Sequence, residues 1–208
     1  LYPEACQIVV RKDSDIETID DLQGKKVSVG EEESGSELNA RQILEMSGLP
    51  EDLIKTKHLH YTDAADKLAA GKIDAFFFTA GAQTTVVEEL AKHCDIRLLN
   101  LDDKLRGKLT TAYPFYSDYT IPAGTYTGQE EDIQTVCVQS VLVASDALDN
   151  ATVKKLTKTI FAHQKGLQYA TSVDLQLNES SAIKGVPIPF HPGAAAYYSE
   201  RGINVKTE

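Results

Sequence analysis

Lys26-Val27-Ser28-Val29-Gly30, then Glu31-Glu32-Glu33, then Ser34-Gly35-Ser36-Glu37-Leu38-Asn39-Ala40-Arg41 is the stretch that decides the fold. It reads as a short β-strand, a Gly/Ser loop and the start of a helix. Ser34 and Glu37 have the S-x-x-E spacing of a capping box. Behind them Ala40, Ile43, Leu44 and Ser47 recur at helical spacing, and Gly48 and Pro50 end the helix. A strand-to-helix junction of this kind gathers unpaired backbone N–H groups and small hydroxyls at the positive end of a helix dipole. That is a seat for an acidic or zwitterionic small molecule, without any reactive side chain.

The same alternation continues outward. His58 to Tyr61 reads as a strand. Thr62 or Asp63 caps a helix that stops at Gly71, and Ile73-Asp74-Ala75-Phe76-Phe77-Phe78 is a nearly unbroken apolar run, as a strand covered on both faces requires. Thr85-x-x-Glu88 opens another helix and Ile96 to Leu101 another strand. Residues 26–101 therefore predict a parallel α/β sheet. A second small-residue loop, Thr79-Ala80-Gly81, follows the buried strand. Residues 110–132 read as irregular. Cys6–Val10 and the longer run Gln134–Ala144 read as strands, and the β-rich segments that contain them, Leu1–Arg11 and Gln134–Ser145, are placed to enter and leave a lobe. Asn150 is expected to cap a helix running to about Thr171, residues 172–186 are polar and ill defined, and His191-Pro192-Gly193 opens the last helix.

Composition bounds the function. The chain has 208 residues, 42% of them hydrophobic and 25% charged, which is the balance of an ordinary globular protein large enough for two lobes. A net charge of −10 argues against nucleic acid, whose phosphates need a basic stripe. No apolar run is long enough to span a membrane. Cys6, Cys94 and Cys137 are widely spaced and read as small hydrophobes. His58 and His60 have no third partner that would make a metal site. His93 and Cys94 are adjacent, a poor geometry for a nucleophile and its base, and there is no catalytic motif.

Several strings together resemble one family: Leu1-Tyr2-Pro3-Glu4, Asp21-Leu22-Gln23-Gly24-Lys25-Lys26, Ser34 to Arg41, Gly71-Lys72-Ile73-Asp74-Ala75-Phe76-Phe77, Ile121-Pro122-Ala123-Gly124-Thr125-Tyr126-Thr127-Gly128-Gln129, and His191-Pro192-Gly193-Ala194. In this order they resemble the solute receptors of TRAP transporters, of the TAXI subgroup. The resemblance implies a type II periplasmic-binding-protein fold, in which two α/β lobes close on a solute and hand it to a membrane permease. It implies an organic acid or acidic amino acid as solute, an extracytoplasmic location, and no cofactor or catalysis. It also implies a first-lobe segment before Leu1. Residues 1–130 would then be the second lobe with a hinge strand, and 131–208 the returning part of the first. Without that segment, solute capture by these residues is expected to be weak.

The residues expected to meet the solute are Ser34, Gly35, Ser36 and Glu37 at the first loop, Thr79, Gly81 and Gln83 at the second, and Tyr126 as an aromatic cover. For each serine the competing role is plain helix capping, and for Tyr126 and Tyr2 it is packing. The sequence departs from the family at Glu31-Glu32-Glu33, where the loop is usually small and neutral, and at Ala82-Gln83, where a proline is frequent. Two other readings use the same lobes: a sensing module of a signalling receptor, and an enzyme.

Overall fold

The computed structural model describes residues 1–170, 175 and 177–207. The chain divides into two compact units, one of residues Glu4–Val138 and one of Leu1–Pro3 with Gln139–Glu208.

The larger unit is built on one sheet. Its strands are β1 (Pro3–Arg11), β2 (Lys26–Gly30), β3 (Lys55–His58), β4 (Ala75–Ala80), β5 (Ile96–Leu98), β6 (Ser117–Ile121) and β7 (Ile133–Gln139). They lie in the order β3-β2-β4-β1-β7-β6, with β5 also paired to β1. Strands β2, β3 and β4 are mutually parallel, as the βαβ reading requires. The sheet as a whole is mixed: β1 runs antiparallel to β4 and to β5, and β6 antiparallel to β7. The four strands of residues 26–101 thus all run in one direction, since β4 and β5 are both antiparallel to β1, and β1, from outside that range, lies between β4 and β5.

Helices α1 (Gly35–Ser47), α2 (Tyr61–Ala69), α3 (Thr85–His93) and α4 (Asp103–Ala112) cover the sheet. Period-two alternation divides the strand side chains between two cores. Cys6, Ile8 and Val10 of β1 and Phe77 of β4 join Val27, Val29, Ile43, Leu44, Leu105 and Leu109. Ala5 and Val9 of β1 and Phe76 and Phe78 of β4 join Leu68, Val87, Leu90 and Tyr126. This is why the Phe76-Phe77-Phe78 run is apolar without a break.

Polar edges account for most differences from the expected elements. β3 is Lys55-Thr56-Lys57-His58, an edge strand with no buried residue, so its pattern carries no hydrophobic signal. The strand expected at His58–Tyr61 therefore ends at His58. His60 caps α2 in place of Thr62 or Asp63, its Nδ1 facing the Thr62 N–H at 3.4 Å. The stretch 110–132 contains the end of α4 and all of β6. Only Leu105 and Leu109 of α4 are buried, and β6 is an edge strand with four partly open positions. β7 stops at Gln139, so Ser140–Ala144 is not strand.

In the smaller unit α5 (Asn150–Ala162) is capped by Asp149, which accepts from the Thr152 N–H at 2.9 Å, so Asn150 is the first helical residue and not the cap. The helix breaks at His163, α6 (Gln164–Tyr169) follows, and the expected end at Thr171 lies outside the described residues. α7 (Pro192–Ser199) begins at His191, whose Nδ1 accepts from Gly193 N–H at 3.0 Å. A Cβ at Gly193 would drive into the Asn150 carbonyl and the Val153 side chain, so only glycine lets α7 lie this close to α5. Phe161 stacks on Tyr197 with centroids 5.5 Å apart, and the Tyr197 hydroxyl donates to Glu179 at 2.6 Å. Beside this cluster an apolar cavity of about 510 Å³ is lined by Leu142, Leu148, Leu156, Ile160, Phe190 and Tyr198, among others.

Candidate functional site

The carboxyl ends of the parallel strands β3, β2 and β4 lie on one edge of the sheet, where an open α/β sheet presents its loops to ligands. The loop after β2 leads straight into α1. Gly30 has φ +110, and a Cβ there would come within 3.0 Å of the Ser36 Cβ, the Glu37 nitrogen and the Ser34 Oγ. Only glycine allows the helix N-terminus to sit against the strand end in this way.

The four residues expected on this loop divide into two roles. Ser34 is the N-cap, its Oγ accepting from the Glu37 N–H at 3.1 Å. The Ser36 Oγ accepts from the Thr79 N–H at 3.1 Å and so ties the helix to the end of β4. The Glu37 carboxylate, only 12% exposed, accepts from the Glu33 N–H at 2.6 Å and meets Arg41 at 3.0 Å and His58 Nδ1 at 3.6 Å. This is a capping box displaced by one residue: Glu37 reaches past Ser34 to Glu33, which sits at φ +61. With the donors of Glu33, Ser34, Glu37 and Leu38 all spent, the N–H groups of Gly35 and Ser36 are left without an acceptor among the described residues. These two donors head a 13-residue helix. Glu31, Glu32 and Glu33 are exposed beside them.

The Thr79 hydroxyl accepts from Asn39 Nδ2 at 3.1 Å and points to Cys6 Sγ at 3.6 Å. Asn39 Oδ1 and Gln42 Oε1 both face the Tyr116 hydroxyl, at 2.8 and 2.7 Å. The two amide oxygens share the one hydroxyl proton. Burial pushes the Tyr116 hydroxyl far above its ordinary range, so it remains a neutral donor. Burial likewise pushes the Cys6 thiol up to about 12, against a smaller lowering by its Thr79 contact. This buried chain of polar groups holds α1 and β4 at a set spacing. The sequence reading missed Asn39, Gln42 and Tyr116. The available signal was two polar residues, three apart, on the otherwise apolar face of α1.

The second loop is held by Tyr126. This ring is 2% exposed within the second core, where the packing role weighed for it is met. Its hydroxyl accepts from the N–H groups of Gln83 at 3.1 Å and Thr84 at 3.3 Å and donates to Gln7 Oε1 at 2.8 Å. Gln83 stands at φ +68 with its side chain exposed, and Gly81 is buried. Glu33 and Gln83, the non-glycine residues with left-handed backbone among the described residues, thus both fall on loops of this one edge. Tyr2 lies in the chain's other unit. Among the described residues no cluster of His, Cys, Asp or Glu is arranged to hold a metal.

The arrangement can bind an anionic oxygen at Gly35 and Ser36. Its thiol, Cys6, and its phenol, Tyr116, are buried and held protonated. Its fold is the mixed α/β fold of type II periplasmic binding proteins. The chain superposes on the periplasmic aliphatic sulphonate binding protein SsuA from Escherichia coli with a TM-score of 0.51 at 18% identity, over 96% of this chain and 56% of SsuA. An ancestral arginine-binding protein bound to arginine matches with a TM-score of 0.46 at 18% identity, over 81% of this chain and 58% of that protein. The chain therefore spans between half and two thirds of the length of these solved proteins, both of them binding proteins by name. No helix among the described residues is long and apolar enough to cross a membrane. Residues 1–202 match the pattern of the NMT1-like family, and to that family the chain belongs.

Proposed function

We propose that this chain is the solute-capturing part of an extracytoplasmic receptor of the TAXI subgroup, serving a TRAP-type permease. The solute is a small organic acid or acidic amino acid, with one carboxylate on the N–H groups of Gly35 and Ser36 and a polar group within reach of the Gln83 amide. Ser34, Ser36, Glu37, Thr79, Gly81 and Tyr126 frame the two loops. In this reading Glu4–Val138 corresponds to the second lobe and Gln139–Glu208 to the returning part of the first. The observation that carries it is the pair of unspent donors at the N-terminus of α1, on the strand edge where this fold places ligands.

Gly35→Pro tests it. Proline is tolerated at the first helical position, Ser34 already has the extended backbone (φ −83, ψ 158) required before a proline, and a Cβ at Gly35 meets nothing within 4 Å. The variant should fold with an unchanged melting temperature and lose one donor. Titration with L-glutamate at millimolar concentration, followed by NMR, should give an affinity about tenfold lower for the variant, the loss expected for a charge-assisted hydrogen bond. Equal affinity in the two proteins would refute the reading.

A further inference from the structure

Two helices, not one, open at this strand edge. α1 follows β2 and lies against the sheet face of Ile8, Val27 and Phe77, whereas α3 follows β4 and lies against the opposite face, with Val9, Phe76 and Phe78. β2 and β4 are parallel neighbours. Adjacent strands whose loops turn to opposite faces open a crevice between those loops, at the carboxyl ends of the strands. The bond from the Thr79 N–H to Ser36 Oγ, 3.1 Å long, fixes the end of β4 against the first turn of α1. The heads of α1 and α3 therefore flank one crevice from its two sides.

The nine-residue helix α3 has no cap of its own. Thr84 holds the N-cap position, yet its side chain makes no cap bond, and its Oγ1 is buried without a partner. Glu88, the acid of the first turn, is engaged elsewhere: its carboxylate accepts from the Thr127 N–H at 3.1 Å and from the Thr127 hydroxyl at 2.8 Å. The N–H groups of Thr85, Val86 and Val87 have no acceptor among the described residues. A residue of another strand adds to this surplus of donors. Gln7 of β1 is 2% exposed, and its Oε1 accepts from the Tyr126 hydroxyl, which itself takes the Gln83 and Thr84 N–H groups. The Gln7 amide is thus held against the loop that leads into α3, and its Nε2 is buried with no partner. Donors left without acceptors in a buried setting are costly, and an anionic oxygen is the group that balances them.

We propose that the head of α3 is a second anion seat, and that the solute carries two acidic groups. One lies on the N–H groups of Gly35 and Ser36. The other lies on those of Thr85 and Val86 beside the Thr84 hydroxyl, with the Gln7 NH2 as a buried donor behind them. The proposal rests on the reading of Gly35 and Ser36 as the carboxylate seat and deepens it: among acids, the crevice selects dicarboxylic ones, acidic amino acids included.

The test is a residue-resolved amide NMR titration of the full chain with two probes. L-Glutamate is one. L-2-Aminobutyrate, which keeps the amino acid end and has no second carboxylate, is the other. L-Glutamate should move the Thr85 and Val86 amide protons along with those of Gly35 and Ser36, all saturating at one concentration. L-2-Aminobutyrate should leave Thr85 and Val86 in place and bind about tenfold more weakly. Thr85→Pro removes one donor of the second seat without breaking a bond. Thr85 opens α3, its N–H has no acceptor, and Thr84 has the extended backbone (φ −69, ψ 141) that a following proline needs. The variant should keep its melting temperature, bind L-glutamate about tenfold more weakly and bind L-2-aminobutyrate unchanged. The proposal is overturned if L-glutamate leaves Thr85 and Val86 unmoved, if the two probes bind alike, or if Thr85→Pro binds L-glutamate unchanged. The two readings fail separately. Gly35 and Ser36 moving while Thr85 and Val86 stay would keep the first seat and remove the second. Thr85 and Val86 moving while Gly35 and Ser36 stay would remove the first seat and leave a single anion site at α3.

Discussion

The two units of this chain bury their apolar side chains differently. In Glu4–Val138 a sheet is covered on both faces, and Phe76, Ile8, Leu44 and Leu68 are at most 1% exposed. In the unit of Leu1–Pro3 and Gln139–Glu208, α5 buries only Val153, while Leu142, Val143, Leu156 and Ile188 are each about half exposed or more, around an open apolar cavity. A sheet with two covered faces closes its own core. A pair of helices such as α5 and α7 packs one stripe of each against the other and leaves the remaining apolar stripe open. The difference teaches where the chain's self-sufficient stability lies. It also explains why a precise arrangement of loops is found in the larger unit, where rigid elements hold it.

The contrast is open to direct attack. Phe76→Ala removes a fully buried ring from the larger unit and should cost about 3–5 kcal/mol in chemical denaturation, whereas Leu156→Ala, at an exposed position, should change stability by less than about 0.5 kcal/mol. Comparable losses would show that the smaller unit has a closed core after all. Ser36→Ala removes the bond to the Thr79 N–H and leaves the cap at Ser34 intact. A loss of about 1 kcal/mol is expected, with faster hydrogen exchange at Thr79; an unchanged Thr79 amide would mean the two loops are not coupled through this serine. The last test is in thiol reactivity and pH. Burial holds the Cys6 thiol at about 12 and the Cys137 thiol at about 11 in the folded chain, above the value near 9 of an open thiol. Raised values favour the protonated, folded form, so their contribution is present below pH 9 and is lost as pH rises through 11 to 12. At pH 8 an alkylating reagent should modify the half-buried Cys94 first and spare Cys6 and Cys137; modification of all three at one rate would contradict the burial.

The elements legible in the sequence are those whose burial imposes a pattern. α1 announced itself by its cap and its spaced apolar residues, and β4 by three consecutive phenylalanines with a core on either side. β3, β6 and α4 were not legible, because an edge strand of lysines and a helix with two buried leucines satisfy their backbone without a hydrophobic signature. Within the site, the Ser34 cap follows from four consecutive residues. Ser36 to Thr79 and Tyr126 to Gln83 each span 43 positions, and no local pattern reveals which hydroxyl is spent and which donor is left open. The sequence pointed to the two loops and their hydroxyls, and the bonds by which Ser34, Ser36 and Tyr126 hold those loops emerge only from the fold. Tyr61, expected to end a strand, instead opens α2, because that strand stops three residues earlier at His58.

The most direct test of the central claim, that open peptide donors at the head of α1 hold the solute, is a residue-resolved amide NMR titration of the full chain with L-glutamate. The Gly35 and Ser36 amide protons should move downfield together and saturate at one concentration, with Glu37, whose N–H is already bonded to Ser34, moving least of the three. Saturable shifts elsewhere in the chain, with Gly35 and Ser36 unmoved, would contradict it.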